Sequence, residues 1–446
     1  MFELFLLLIG GPTLRRKWWV VGVSGIVWLV IGIALMLDAL FNEVRIPADY
    51  FAIPLVIMAA VSFGAGIMSQ SRMHRTMRFI KGAVCVVIIL LIIDAPWHSD
   101  IVIGILVGTV LICDAIWRAG SAHVVRFPAW RGALALAGLE FLLGLWSFVP
   151  WPTHWRGEVG SDVAQLIIVT AVGVTAFALR VRRLPQGVLL ADILAETRAD
   201  RAGQTHLPAD KGELSAPQHF DEALTVHVWT PTGDLAPLAQ GVQRYVVAQD
   251  ATGAASTGHA ALQLPPDVYI SHYPAVEIER SPDQFARVLR ATRENDVPGE
   301  FKPSYEAESA EWCPSTMQVR LTGINGAAVR HFWRDYSTDS TYNLTYRNCS
   351  STVAHALDAA IEGRYAHEIR SPLFVIRLLS LPELWVAGLM RRRAAWMAWT
   401  PGLVLDYARA VSGILQMGGG RRRWRTPRAT SPVQAGAGRA SESSNA

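Results

Sequence analysis

Residues Trp18–Leu37 read WWVVGVSGIVWLVIGIALML. Twenty residues without an ionisable side chain match the length a helix needs to cross a hydrocarbon core of ~30 Å. Five further apolar runs of similar length follow at Phe51–Met68, Gly82–Trp97, Ile101–Trp117, Ala133–Val149 and Val163–Leu179. One such run could be a buried helix, but no soluble core needs six in succession. The whole chain agrees: of 446 residues 51% are hydrophobic and only 17% charged, against about 25% charged in ordinary soluble domains. Mean hydropathy is +0.26. These values exclude a disordered chain and argue against a wholly soluble one. The length calls for two or three domains. A net charge of +4 is too modest for a dedicated nucleic-acid binder.

Tryptophan and charge placement refine the membrane reading. Nine of the sixteen tryptophans lie in the first 180 residues, and Trp18, Trp19, Trp97, Trp117, Trp130, Trp146, Trp151 and Trp155 sit at run ends. That is the aromatic belt of a membrane interface. Arg15, Arg16 and Lys17 precede the first run, and Arg72, Arg75, Arg78 and Lys81 lie between the second and third. Arg118, Arg126 and Arg131 separate the fourth and fifth, and Arg180, Arg182 and Arg183 follow the sixth. The alternate loops carry only Arg45 and Arg156. The bias predicts six spans with both ends, and the soluble domain after them, on the cytoplasmic side. The leading MFELFLLLIG is too short to span, and its basic cluster follows the apolar stretch, the wrong order for a cleaved signal peptide. Short loops predict helical hairpins. Gly104 and Gly108 form a GxxxG suited to close helix contact. Glu140 and Asp114 are ionisable groups at membrane depth and need partners there; the simplest expectation for Glu140 is a protonated side chain bonded to a neighbouring helix. His98 and His154 read as solvated loop residues.

Six short spans, small loops and the glycine-punctuated strings GIVWLVIGI and GLEFLLGLW resemble the HdeD-type acid-resistance membrane protein family over residues 15–185. The resemblance implies a six-helix inner-membrane domain, at 15–183 in this chain, with a link to acid stress. It transfers no catalytic residue.

Composition changes after Arg183. Residues 184–222 read as a linker and 223–365 as a compact α+β domain. Strands are predicted at 226–230, 244–248, 259–264, 268–273 and 317–321. Helices are predicted from Ser281, over 324–336 and over 350–361. Val353, Leu357 and Ile361 share one face, and Gly363 is a natural stop. The chemical signal is Arg347-Asn348-Cys349-Ser350-Ser351-Thr352, which places Cys349 at a helix start. There the dipole and free N–H groups favour a thiolate. A thiolate nucleophile needs a base that can come from far away in sequence. His259, in Thr257-Gly258-His259-Ala260, is the candidate. His272 is equidistant with His259 from the Pro265–Pro266 junction, so a hairpin centred there would set the two face to face. Ser271 and Glu277 are further candidates to orient His259. On spacing alone, a structural buried cysteine and a satisfied strand histidine remain the alternative. Cys313 shows no helix start and reads as structural. With no phosphate loop, zinc pattern or dinucleotide fingerprint, no cofactor or metal is expected.

A GHA on a strand, then YISHYP, then a late NCS opening a helix resemble the circularly permuted papain-like thiol hydrolases, relatives of the NlpC/P60 peptidases and of lecithin:retinol acyltransferase. The resemblance covers 223–365. It implies a papain-like fold with Cys349 as nucleophile, His259 as general base and His272 near the third polar position. The expected activity is that of a membrane-anchored cytosolic cysteine peptidase, or an acyltransferase or thioesterase on the same fold. The expected substrate is a protein or lipid acyl group at the cytoplasmic face, and the bilayer is the other partner. A membrane stress protein whose soluble domain only binds is the non-enzymatic alternative. Residues 372–416 are apolar but broken by Arg377, Pro382, Glu383 and Arg391–Arg393, and read as amphipathic helices lying on the membrane. Residues 418–446 read as a disordered basic tail.

Overall fold

A computed structural model describes residues 1–41, 49–67, 72–93, 99–126, 130–149, 158–183, 188–192, 194, 219–229, 248–249, 255–256, 258–276, 278, 285–396 and 398–417. Most of the linker, most of the 244–248 strand, the 281–284 helix opening, Glu277, His98, His154 and the tail lie outside them.

Two short helices, α1 (Phe2–Ile9) and α2 (Gly11–Arg16), lead into six long ones: α3 (Trp18–Phe41), α4 (Asp49–Ile67), α5 (Arg72–Ile93), α6 (Ser99–Val125), α7 (Trp130–Trp146) and α8 (Glu158–Arg182). They pack as α3 with α8, α4 with α5 and α6 with α7. Small residues set these approaches. A Cβ on Gly32 would stand 2.8 Å from Ile168 Cγ1, and one on Gly108 would stand 2.8 Å from the Gly144 carbonyl. Gly108 is therefore used inside the chain. Among the described residues three helices are long and apolar enough to cross a membrane, at Trp18–Phe41, Gly104–Val125 and Gly160–Arg182. A bent pair, Pro372–Leu379 with Pro382–Ala395, could make a fourth. Of the other expected spans, α5 opens on the basic stretch RMHRTMRFIK ahead of its apolar part, α7 has 17 residues, and the apolar stretch described within α4 is Ala52–Gly64.

The sheet-containing part has a four-stranded antiparallel sheet in the order β5-β4-β1-β8. These are β1 (Glu222–Trp229), β4 (His259–Leu264), β5 (Val268–Ile270) and β8 (Met317–Ile324). The two-residue strands β2 (Ala248–Gln249) and β3 (Ala255–Ser256) pair with each other, as do β6 (His272–Pro274) and β7 (Gly299–Phe301). Alternation gives the sheet two faces. Leu224, Val226, Val228, Ala260, Leu262 and Ile270 enter the main core, whereas Trp229, Ala261 and Tyr269 form a second cluster. The helices are α9 (Phe285–Val288), α10 (Tyr305–Glu311), α11 (Gly326–Tyr336), α12 (Cys349–Ile361), α13 (Pro372–Leu379), α14 (Pro382–Trp396) and α15 (Pro401–Gln416).

The core extends beyond 223–365 at both ends. Leu4, Leu6, Leu7 and Leu8 of α1 are buried in it. The Leu7 and Leu8 carbonyls accept from the Gly363 and Tyr365 amides at 2.9 and 2.8 Å. The leading decapeptide is thus a core helix. Part of the 372–416 reading also needs correction. In α15, Leu403, Val404, Leu405, Tyr407, Val411 and Ile414 are buried, each contributing roughly 1.5–3 kcal/mol. That helix is part of the core. Among the described residues of 372–416, α13 and α14 keep the exposed large apolar residues Leu373, Ile376, Trp385 and Leu389.

Candidate active site

Cys349 is the first residue of α12, and its placement follows from the residue before it. Asn348 caps the helix: its side chain accepts from the Ser351 amide at 2.7 Å, while its own amide donates to Ser351 Oγ at 2.8 Å. The Asn348 side-chain amide also donates to the Leu344 carbonyl at 2.7 Å. The Cys349 thiol is buried, 3.7 Å from Ser350 Oγ. It lies within reach of the Ala260 backbone amide, in the residue directly after His259. The structure therefore brings the predicted cysteine and histidine loops together. Burial pushes the thiol up, opposed by the Ser350 hydroxyl and the Ala260 and Ser350 amides. The resting group is a neutral thiol, where the helix start alone suggests a thiolate; desolvation outweighs the dipole.

His259 opens β4 and is 3% exposed. Its Nε2 is 2.9 Å from Ser271 Oγ and 3.4 Å from Glu308 Oε1. Tyr273 stacks on the imidazole, with centroids 3.9 Å apart and planes at 16°. Burial, with His272 and Lys302 adding positive charge, pushes its pKa down to about 3. Glu308, on α10, is 1% exposed. Its carboxylate accepts from Tyr269 at 2.5 Å and Tyr273 at 2.8 Å. Burial and this carboxylate push both phenols up, so they remain donors.

His272 lies elsewhere. In the β4–β5 ladder Leu262 pairs with Ile270 and Leu264 with Val268, which leaves 265–267 as a three-residue turn. The hairpin is centred on Pro266, one half-step from the expected junction. Continued to the strand start, this register sets Tyr273 and not His272 opposite His259, since a one-residue slip reverses every facing. His272 Nδ1 lies 3.1 Å from the Tyr336 hydroxyl, and its Nε2 lies 3.1 Å from the Ser340 carbonyl. A carbonyl only accepts, so Nε2 carries the proton and Nδ1 accepts from Tyr336. Thr352, in the first turn of α12, donates to Tyr336 at 2.7 Å. His272 thus braces the helix that carries Cys349, and burial pushes its pKa down to about 4.

Glu308 was not foreseen. Its helix carries Glu306, Glu308 and Glu311, and nothing in the string distinguishes the buried one. Cys313 packs beside Trp229, whose indole donates to the Cys313 carbonyl at 2.8 Å and whose ring centroid lies 5.4 Å from that of His259.

The site adjoins the end of the α6–α7 hairpin. Tyr346 packs with Trp130 and Leu134 against Ala122, Val125, Ala133 and Ala291, and the Ala291 amide donates to the Val125 carbonyl at 2.7 Å. Nearby charges are paired. Arg118 holds Asp114 at 2.7 Å and Glu140 at 3.2 Å, and Arg392 of α14 reaches Asp114 at 2.7 Å. Glu140 therefore meets an arginine of the neighbouring helix, where an uncharged hydrogen bond was expected. Among the described residues no group of three or more His, Cys, Asp or Glu side chains could hold a metal ion.

No protein-family model, curated protein or solved structure matches the chain. The HdeD-type and permuted papain-like resemblances rest on the sequence motifs that carry them.

Proposed function

We propose that the protein is a membrane-anchored thiol hydrolase, a cysteine peptidase acting through a covalent acyl-enzyme. One observation carries this reading: Cys349 at a capped helix start lies against the strand start bearing His259, with the buried Glu308 behind the imidazole. Because Nε2 of His259 is directed at Ser271 and Glu308, Nδ1 is left to take the thiol proton. The sulfur–carbon bond forms at the substrate carbonyl as that proton moves to His259. Glu308 then stabilises the imidazolium through Nε2–H, the role of an orienting carboxylate. Backbone N–H groups at the start of α12 hold the oxyanion. Collapse breaks the bond to the leaving group, which takes the proton from His259. Water, deprotonated by the same imidazole, then attacks the thioester and releases the acid and the thiol.

A second reading, acyl transfer or thioester hydrolysis, is favoured by the packing of Tyr346 on the α6–α7 end, which suits an acyl group presented at a membrane. In both readings the hydropathy runs and arginine bias support six spans, an inner-membrane location and a cytoplasmic site. The HdeD-type strings support a link to acid or envelope stress. The test uses full-length protein in membranes with peptide esters and acyl thioesters as substrates. Turnover should vanish in Cys349→Ala and His259→Ala and persist in Cys313→Ala. Release of free acid marks a hydrolase, and transfer to an added amine or alcohol marks a transferase. No turnover above the protein-free rate in any of the four proteins would leave a binding role instead.

A further inference from the structure

Between α1–α2 and the α3–α8 pair lies a groove of about 580 Å³, within the ~300–1,000 Å³ of small-molecule sites. Phe5, Trp28, Leu166 and Ala171 are among its mainly apolar lining. Its rim is open: Val20, Trp28 and Leu166 are 43%, 51% and 69% exposed. Both α3 and α8 have the length and hydropathy of spans, so that open side faces hydrocarbon.

Two features select the occupant. Along α3 the lining runs from Lys17 to Trp28, about 16 Å at 1.5 Å per residue. That is one leaflet of a ~30 Å core. Charge is confined to one end. Among the described residues Lys17 is the only charged one of the lining, with no acid there, and the Arg182 guanidinium lies 4.8 Å over the neighbouring Trp18 ring. A chain-length apolar slot ending in cations is complementary to a lipid with a negative head.

We propose that this groove binds one anionic glycerophospholipid, with an acyl chain laid along the α3–α8 pair beside α1 and its phosphate at Lys17. The inference rests on α3 and α8 being spans and is independent of the thiol chemistry. The bound lipid would tie α1, and through Leu7 and Leu8 the end of α12, to the bilayer.

The full chain is first assigned to the membrane or soluble fraction, then purified in detergent. It is titrated with dioleoyl-phosphatidylglycerol and dioleoyl-phosphatidylcholine and read by native mass spectrometry. One phosphatidylglycerol per chain should be retained, ~5-fold tighter than phosphatidylcholine, as one cation near a lipid surface supplies. Lys17→Glu should abolish that preference. Thr170→Trp, at an exposed position on the α8 part of the groove wall, should block both lipids, and Ser24→Trp on its α3 part should do the same. A membrane-bound chain that retains no stoichiometric lipid, or binds both lipids alike in every variant, overturns the groove assignment alone. A chain found in the soluble fraction overturns the span reading first.

Discussion

The two ends of α12 bury polar groups to opposite effect. At its start, the buried Cys349 lies against the strand that the buried His259 opens, and the thiol meets only a hydroxyl and backbone amides. At its other end the buried carboxylates of Asp358 and Glu362 are committed. Glu362 accepts from the Gly11, Leu190 and Ala191 amides at 3.0, 2.8 and 2.9 Å. Asp358 is paired with the buried Arg391 of α14 and accepts from Tyr407 of α15 at 2.6 Å. One end has the makings of chemistry. The other gathers the N-terminal helices, the segment after α8 and the C-terminal helices onto one element. Burial raises the energy of an ionised group wherever it occurs; the partners decide whether the result is reactivity or anchorage.

Single substitutions should separate the two ends. The largest effect on activity is expected from Cys349→Ala and His259→Ala. Loss of a positioned base costs ~10²–10⁴-fold, read as turnover per folded molecule, because His259→Ala also leaves Ser271 and Glu308 without a buried partner at about 1–3 kcal/mol. The largest effect on stability is expected from Arg391→Met. It leaves Asp358 buried without its cation at about 3–5 kcal/mol, measured by denaturant unfolding of the detergent-solubilised protein, with turnover per folded molecule retained. Glu308→Gln keeps the shape and removes the charge behind His259. It should lower kcat by about 10²-fold with KM little changed, which marks a group that acts on the imidazole. His272→Gln should cost ~1–3 kcal/mol through its buried partners and leave kcat within about tenfold, because it braces α12 without facing His259.

Acid and base should also act on the two ends differently. His259 and His272 are pushed down to about 3 and about 4, from a usual value of ~6.5. The unfolded chain therefore binds more protons than the folded one in that window. Their contribution to stability is lost as pH falls from about 6.5 toward those values. Glu362 is pushed up to about 7 by burial, so the folded chain holds its proton longer. Its contribution is present below ~4.5 and is lost as pH rises through about 7. In Glu362→Gln the loss between those limits should disappear from the stability–pH curve while the acid limb remains.

The sequence carried the local pieces of this arrangement and missed how they meet. The strand at 259–264 and the helix after Asn348 were legible because alternation and capping are local signals. The hairpin register was not, since one extra turn residue exchanges His272 for Tyr273 and leaves composition unchanged. Glu308 was invisible because only tertiary burial separates it from Glu306 and Glu311. The roles of α1 and α15 were hidden for a related reason: an apolar stretch looks the same whether a core or a bilayer covers it.

Direct capture of the covalent intermediate tests the thiol chemistry most closely. Full-length protein is mixed with an activated acyl ester, quenched in acid within a turnover, digested and read by mass spectrometry. One acyl mass should appear on the peptide containing Cys349. It should be absent in Cys349→Ala and should form ~10²–10⁴-fold more slowly in His259→Ala, as loss of a positioned general base requires. No adduct at Cys349, or an adduct forming equally fast without His259, would contradict a Cys349–His259 hydrolase and leave the site as a structural one.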